Sequence, residues 1–122
     1  MSPPRKSKKR VLVVDDEPAV VTMISDFLRS EGFETLSAVS AADAQTRLEE
    51  SQVDAMLLDI QMPQEDGLTF LKRVKERYTE LPVVMLTGAG MVQTALQHGA
   101  AGYVKKNTDL HEMADLLRRL VR

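Results

Sequence analysis

The 122-residue chain contains no cysteine, which removes disulfides, thiol catalysis and cysteine-bound zinc from consideration. Histidine is nearly absent: His98 and His111 are too few for a histidine-rich metal site, and both read as surface residues. No apolar run approaches the roughly 20 residues a membrane-spanning helix needs, and the amino-terminal residues lack the apolar stretch of a secretory signal. A soluble, cytoplasmic protein without membrane contact is therefore expected. Acid is missing from the first ten residues, which hold Arg5, Lys6, Lys8, Lys9 and Arg10, whereas the remainder carries 11 basic against 18 acidic side chains. Residues 1–10 read as a basic, flexible tail on an acidic body. Such a body is unsuited to direct nucleic-acid binding.

What is present is organised around short apolar runs that stop abruptly at polar residues. Ala55-Met56-Leu57-Leu58 ends at Asp59, Val11-Leu12-Val13-Val14 at Asp15-Asp16, and Val83-Val84-Met85-Leu86 at Thr87. None alternates with period two, as expected of strands buried on both faces of a parallel sheet. Weaker strands are read at Glu34 to Val39 and at Ala101 to Lys105.

Helical spacing fills the intervals. Val20, Ile24, Phe27 and Leu28 follow Pro18 and stop at Gly32; Ala41, Ala44 and Leu48 follow a Ser40-x-x-Asp43 capping pattern. Leu68, Leu71, Val74 and Tyr78 mark a third helix. A short fourth turns Val92, Ala95 and Leu96 inward and closes at Gly99, and a last one, capped by Thr108, carries Leu110, Met113, Leu117 and Leu120. Five strand–helix units in alternation predict a single α/β domain over residues 11–122, a doubly wound parallel sheet with helices on both faces.

In such a sheet, ligands bind outside the carboxyl ends of the strands. Asp15, Asp16, Asp59, Thr87 and Lys106 stand at those ends. No Gly-x-Gly-x-x-Gly fingerprint and no Gly-x-x-x-x-Gly-Lys loop is present for a nucleotide. Clustered carboxylates repel one another unless a cation neutralises them, and an all-oxygen donor set favours a hard ion such as Mg2+. A lysine ammonium and a threonine hydroxyl suit phosphoryl oxygens, and an Asp carboxylate can itself attack phosphorus to give an acyl phosphate. The alternative is that the acids cap helices and Lys106 merely neutralises them.

Val11 to Asp16 with its acid pair, Leu57-Leu58-Asp59-x-x-Met62-Pro63-x-x-Asp66-Gly67, Val84-Met85-Leu86-Thr87-Gly88 and Gly99-Ala100-x-x-Tyr103-x-x-Lys106 together resemble the receiver domain of bacterial response regulators. The resemblance runs from about Val11 to the carboxyl terminus. It implies a CheY-like, flavodoxin-like sheet of order 2-1-3-4-5 and a phosphorylation switch of a two-component system. Asp59 would accept a phosphoryl group from a histidine kinase or phosphotransfer protein. Asp15, Asp16, Asp59 and the Gln61 carbonyl would bind Mg2+, Asp15 mainly through water. Lys106 would pair with the phosphoryl group, Thr87 would move towards it, and Tyr103 would turn inward. That would reshape the face of the fourth helix, fifth strand and fifth helix for a downstream effector.

Two departures from the family pattern stand out. Asn107 follows Lys106 where the family commonly has Pro, and the stretch from Thr87 to Lys106 is shorter by roughly three residues, close to one helical turn. The Tyr103-x-x-Lys spacing selects Lys106 over Lys105, which would face the other side of the strand. An aspartyl-phosphate phosphatase is the competing reading. That class wants an Asp two residues after the nucleophile, where Gln61 stands, and a cap insertion for which the chain has no room.

Overall fold

The computed structural model describes residues 8–59, 67–87, 92–105 and 109–121. Strands and helices alternate strictly: β1 Arg10–Val14, α1 Pro18–Ser30, β2 Glu34–Ala38, α2 Ala41–Glu50, β3 Ala55–Asp59, α3 Gly67–Arg77, β4 Val83–Thr87, α4 Val92–Gln97, β5 Gly102–Lys105 and α5 Leu110–Val121. All strand pairs are parallel, in the order β2-β1-β3-β4-β5. This is the doubly wound sheet expected of the alternation, and its strand order reverses at β1.

The apolar strands are buried because both sheet faces are covered. Leu12, Val14, Met56, Leu58, Val83 and Met85 point into one half-core with Ala44 and Leu48 of α2 and Phe70, Leu71 and Val74 of α3. Their neighbours Val11, Val13, Ala55, Leu57, Val84 and Leu86 point into the other, with Ile24 and Leu28 of α1 and Met113 and Leu117 of α5. β1, β3 and β4 thus each supply both layers with large apolar groups. Removing a fully buried Leu such as Leu57 costs about 2–5 kcal/mol.

Local chemistry ends the elements where they end. Pro18 begins α1. At its other end Gly32, at φ 98°, closes a double-bonded turn: Phe33 N–H donates to Leu28 O at 3.0 Å and Gly32 N–H to Arg29 O at 3.1 Å. At α2 the Ser40 Oγ accepts from Asp43 N–H at 3.0 Å, and the Asp43 carboxylate accepts from Val39 N–H at 3.2 Å. Gly99, at φ 102°, follows α4 as read. Arg118 ties α5 to the end of α1 by donating to a Glu31 carboxylate oxygen at 2.6 Å; that hydrogen bond is the main reason its guanidinium pKa is raised.

Several expectations shift. β1 begins at Arg10, whose N–H donates to Asp54 Oδ2 at 2.8 Å and whose guanidinium pairs with Glu34 at 3.0 Å. Arg10 therefore belongs to the sheet and not to a flexible tail. β2 stops at Ala38, leaving Val39 45% exposed, and β5 starts at Gly102. Leu96 is not inward: it is 40% exposed, because a six-residue helix has too few turns to bury both an inner and a flanking apolar position. At α5 the Asp109 carboxylate accepts from His111 N–H at 2.8 Å, so Asp109 caps the helix; Thr108 lies outside the described residues.

Candidate functional site

Parallel pairing places every strand's carboxyl end on one rim. Val14 lies opposite Leu58, so Asp15 and Asp59 follow on as neighbours. Asp59 lies opposite Leu86 and Thr87 opposite Lys105, so the end of β4 joins the same rim. Asp15 is anchored from both sides: its N–H donates to Ala38 O at 3.1 Å, and its Oδ1 accepts from Glu17 N–H at 3.0 Å. The second bond folds the chain sharply into α1 and directs the carboxylate back over the sheet.

One oxygen from each of Asp15, Asp16 and Asp59 lies within 4.8 Å of the others. Asp15 and Asp59 are 0% and 1% exposed, whereas Asp16 is the most exposed of the three. Two buried anions and a third at the opening are costly in low dielectric unless a cation sits among them. Three hard oxygen donors with one side open to water fit a hard divalent cation that keeps part of its hydration, not zinc or copper.

The other expected site residues divide. Thr87 ends β4 at this rim by its backbone. Lys106 and Gln61 lie outside the described residues, as do Asn107 and the stretch 88–91. Tyr103 is 40% exposed on β5. It flanks a groove of about 600 Å3 that runs along β5 and α5, with Leu96 and Leu116 as apolar lining and Glu112 and Arg119 as charges. Sequence reading missed the part played by Glu17, whose amide holds Asp15; its signal was its place two residues after the first acid.

The family profile described as the response regulator receiver domain matches residues 11–118, nearly the whole described chain. The chain belongs to the response regulator receiver domain family. This receiver domain is 35% identical over 118 residues to the DNA-binding dual master transcriptional regulator RpaA of Synechocystis sp., covering 93% of this chain and 49% of RpaA. It is 37% identical over 113 residues to the regulatory protein AtoC of Escherichia coli, covering 90% of this chain and 24% of AtoC. It thus spans about half, or a quarter, of these relatives. Among solved structures, the receiver domain of NtrX from Brucella abortus superposes with a TM-score of 0.85 at 31% identity, covering 91% of this chain and 97% of that one. The chemotaxis response regulator CheY4 of Vibrio cholerae gives 0.87 at 27% identity, covering 93% and 99%. Receiver domains of two-component systems are signalling domains, and the acid group of this one could hold a metal.

Proposed function

We propose that Asp59 accepts a phosphoryl group from a phosphohistidine of a histidine kinase or phosphotransfer protein, and that the acyl phosphate switches the domain between two states. The observation that carries the reading is the convergence of the Asp15, Asp16 and Asp59 oxygens within 4.8 Å, with Asp59 almost fully buried at the end of β3. Asp15, Asp16, Asp59 and the Gln61 carbonyl would hold Mg2+, Asp15 mainly through water. That ion supplies the positive charge that lets an anionic carboxylate approach an anionic phosphoryl group.

The residues of this chain do the rest. An Asp59 carboxylate oxygen attacks phosphorus, the bond from phosphorus to the imidazole nitrogen breaks, and the departing imidazole keeps that electron pair and takes up a proton. The rigid end of β3 holds the nucleophile, and its burial excludes bulk water from one side. Phosphorylation replaces the single charge of the Asp59 carboxylate with a phosphoryl group of roughly −1.5 to −2, beside the two carboxylates that remain, Asp15 and Asp16. Lys106 is the cation assigned to compensate it and Thr87 the hydroxyl donor. Motion of Thr87 frees space that Tyr103, now 40% exposed, turns into. The groove beside Tyr103 changes shape with it, and a downstream effector docks on the face of α4, β5 and α5.

No helix among the described residues is long and apolar enough to cross a membrane, in keeping with a cytoplasmic signalling role. Incubation with Mg2+ and acetyl phosphate, followed by intact-mass measurement, should add one phosphoryl group, and Asp59→Asn should abolish it. Continued turnover of phosphate esters, with no stable adduct, would instead favour an aspartyl-phosphate phosphatase.

A further inference from the structure

Between α1 and α5 the packing leaves a slot of about 100 Å3. Its walls come from four elements: Ile24 of α1, Leu86 of β4, Val104 of β5 and Met113 of α5, none more than 7% exposed. The outer edge is different. Glu17 and Met23 are exposed there, and the buried Asp15 borders the slot from the strand end. Lys105 also lines it, but the Asp15 and Glu17 carboxylates oppose that charge, and Asp16 and Asp59 lie within 4.8 Å of the Asp15 oxygen. Among the described residues the slot is thus an apolar chamber that opens into a negative field.

We propose that this slot binds a small aliphatic ammonium ion, its hydrocarbon chain among Ile24, Leu86, Val104 and Met113 and its charged head against Asp15 and Glu17. Size bounds the class. An apolar cavity of roughly 150 Å3 accepts benzene, so about 100 Å3 suits a linear chain of around four carbons and not a ring. Charge bounds it again, since a carboxylate or phosphate ligand would meet the acid cluster head-on. A bare metal ion has no use for the apolar walls. Binding in the slot does not depend on phosphoryl transfer. Its consequence does rest on the proposed function: an ammonium beside Asp15 would compete with a divalent cation and damp phosphorylation.

The test uses the whole chain with metal removed, so that its outcome is independent of any phosphorylation result. Side-chain methyl NMR signals are followed while n-butylammonium chloride is added, with n-butanol and ammonium chloride as separate controls. Saturable shifts at Ile24, Leu86, Val104 and Met113 are expected for n-butylammonium, with a Kd on the order of 1 mM for so small a ligand. Butanol should bind more weakly, and ammonium should leave those methyls unmoved. Glu17→Gln, a surface change, should weaken n-butylammonium by about two- to fivefold. Val104→Leu should fill the chamber and abolish binding; if that variant does not fold, Glu17→Gln still decides. Unmoved wall methyls would overturn the proposal, as would butanol binding equally well with no effect of Glu17→Gln.

Discussion

The acid cluster should make the metal-free domain less stable than one that lacks its central carboxylate. Two unit charges 4.8 Å apart repel by roughly 3.5 kcal/mol at an effective dielectric of about 20. Asp15 and Asp59 are both buried, so that pair counts nearly in full, whereas Asp16, which is more open to solvent, adds about 1 kcal/mol at most. Against this, Asp59→Asn weakens any charged hydrogen bond the carboxylate accepts, an offset of about 1.5–3 kcal/mol. The net expectation is a gain of about 0.5–3 kcal/mol without metal. For a domain of this size each kcal/mol moves Tm by about 3–5 °C, so the rise is roughly 2–15 °C. Thermal unfolding followed by circular dichroism in EDTA at low ionic strength measures it directly. Adding Mg2+ should then raise the wild-type Tm by mass action and leave Asp59→Asn almost unchanged, closing the gap. An Asn variant no more stable than wild type in EDTA, together with equal Mg2+ responses, would refute the electrostatic reasoning.

Three further outcomes follow from the packing. Ser25 is 3% exposed in α1 and its hydroxyl has no hydrogen-bond partner among the described residues, so Ser25→Ala should stabilise by about 1 kcal/mol in denaturant unfolding. Gly32 and Gly99 both have left-handed backbone, but a Cβ at Gly32 meets open space while one at Gly99 lies 3.3 Å from Lys75 Cγ. Gly32→Ala should therefore cost about 1 kcal/mol and Gly99→Ala about 1.5–2 kcal/mol by the same assay. α4 spans six residues against twelve for α5, so amides of residues 92–98 should exchange with solvent faster than those of α5; equal protection would count against this, and residues 88–91 lie outside the described residues.

Much of the architecture was legible because burial on both faces writes itself as unbroken apolar runs. Val11–Val14, Ala55–Leu58 and Val83–Leu86 each became a strand, and the polar residue that halts each run marks the common rim. Ser40 and Gly32 announced helix ends because their side-chain or backbone chemistry acts within a few residues. What needed coordinates was long-range. The half-core joined by each helix depends on crossover geometry, and Leu96 was misread because so short a helix offers too few positions to separate a groove from a core. Thr108 and Asp109 are adjacent capping residue types, and only the bond to His111 distinguishes them. The 4.8 Å approach of the acids and the slot beside them arise from residues up to about a hundred positions apart.

The alternation inside β3 carries a lasting consequence for how this chain can vary. Leu57 serves one layer and Leu58 the other, and Asp59 takes its place from that count. Inserting or deleting a single residue between Ala55 and Leu58 would exchange the partners of both leucines and carry the carboxylate off the rim at the same stroke. Length changes outside the strands leave that count intact, so tolerance in a deletion scan should stop sharply at the borders of this strand.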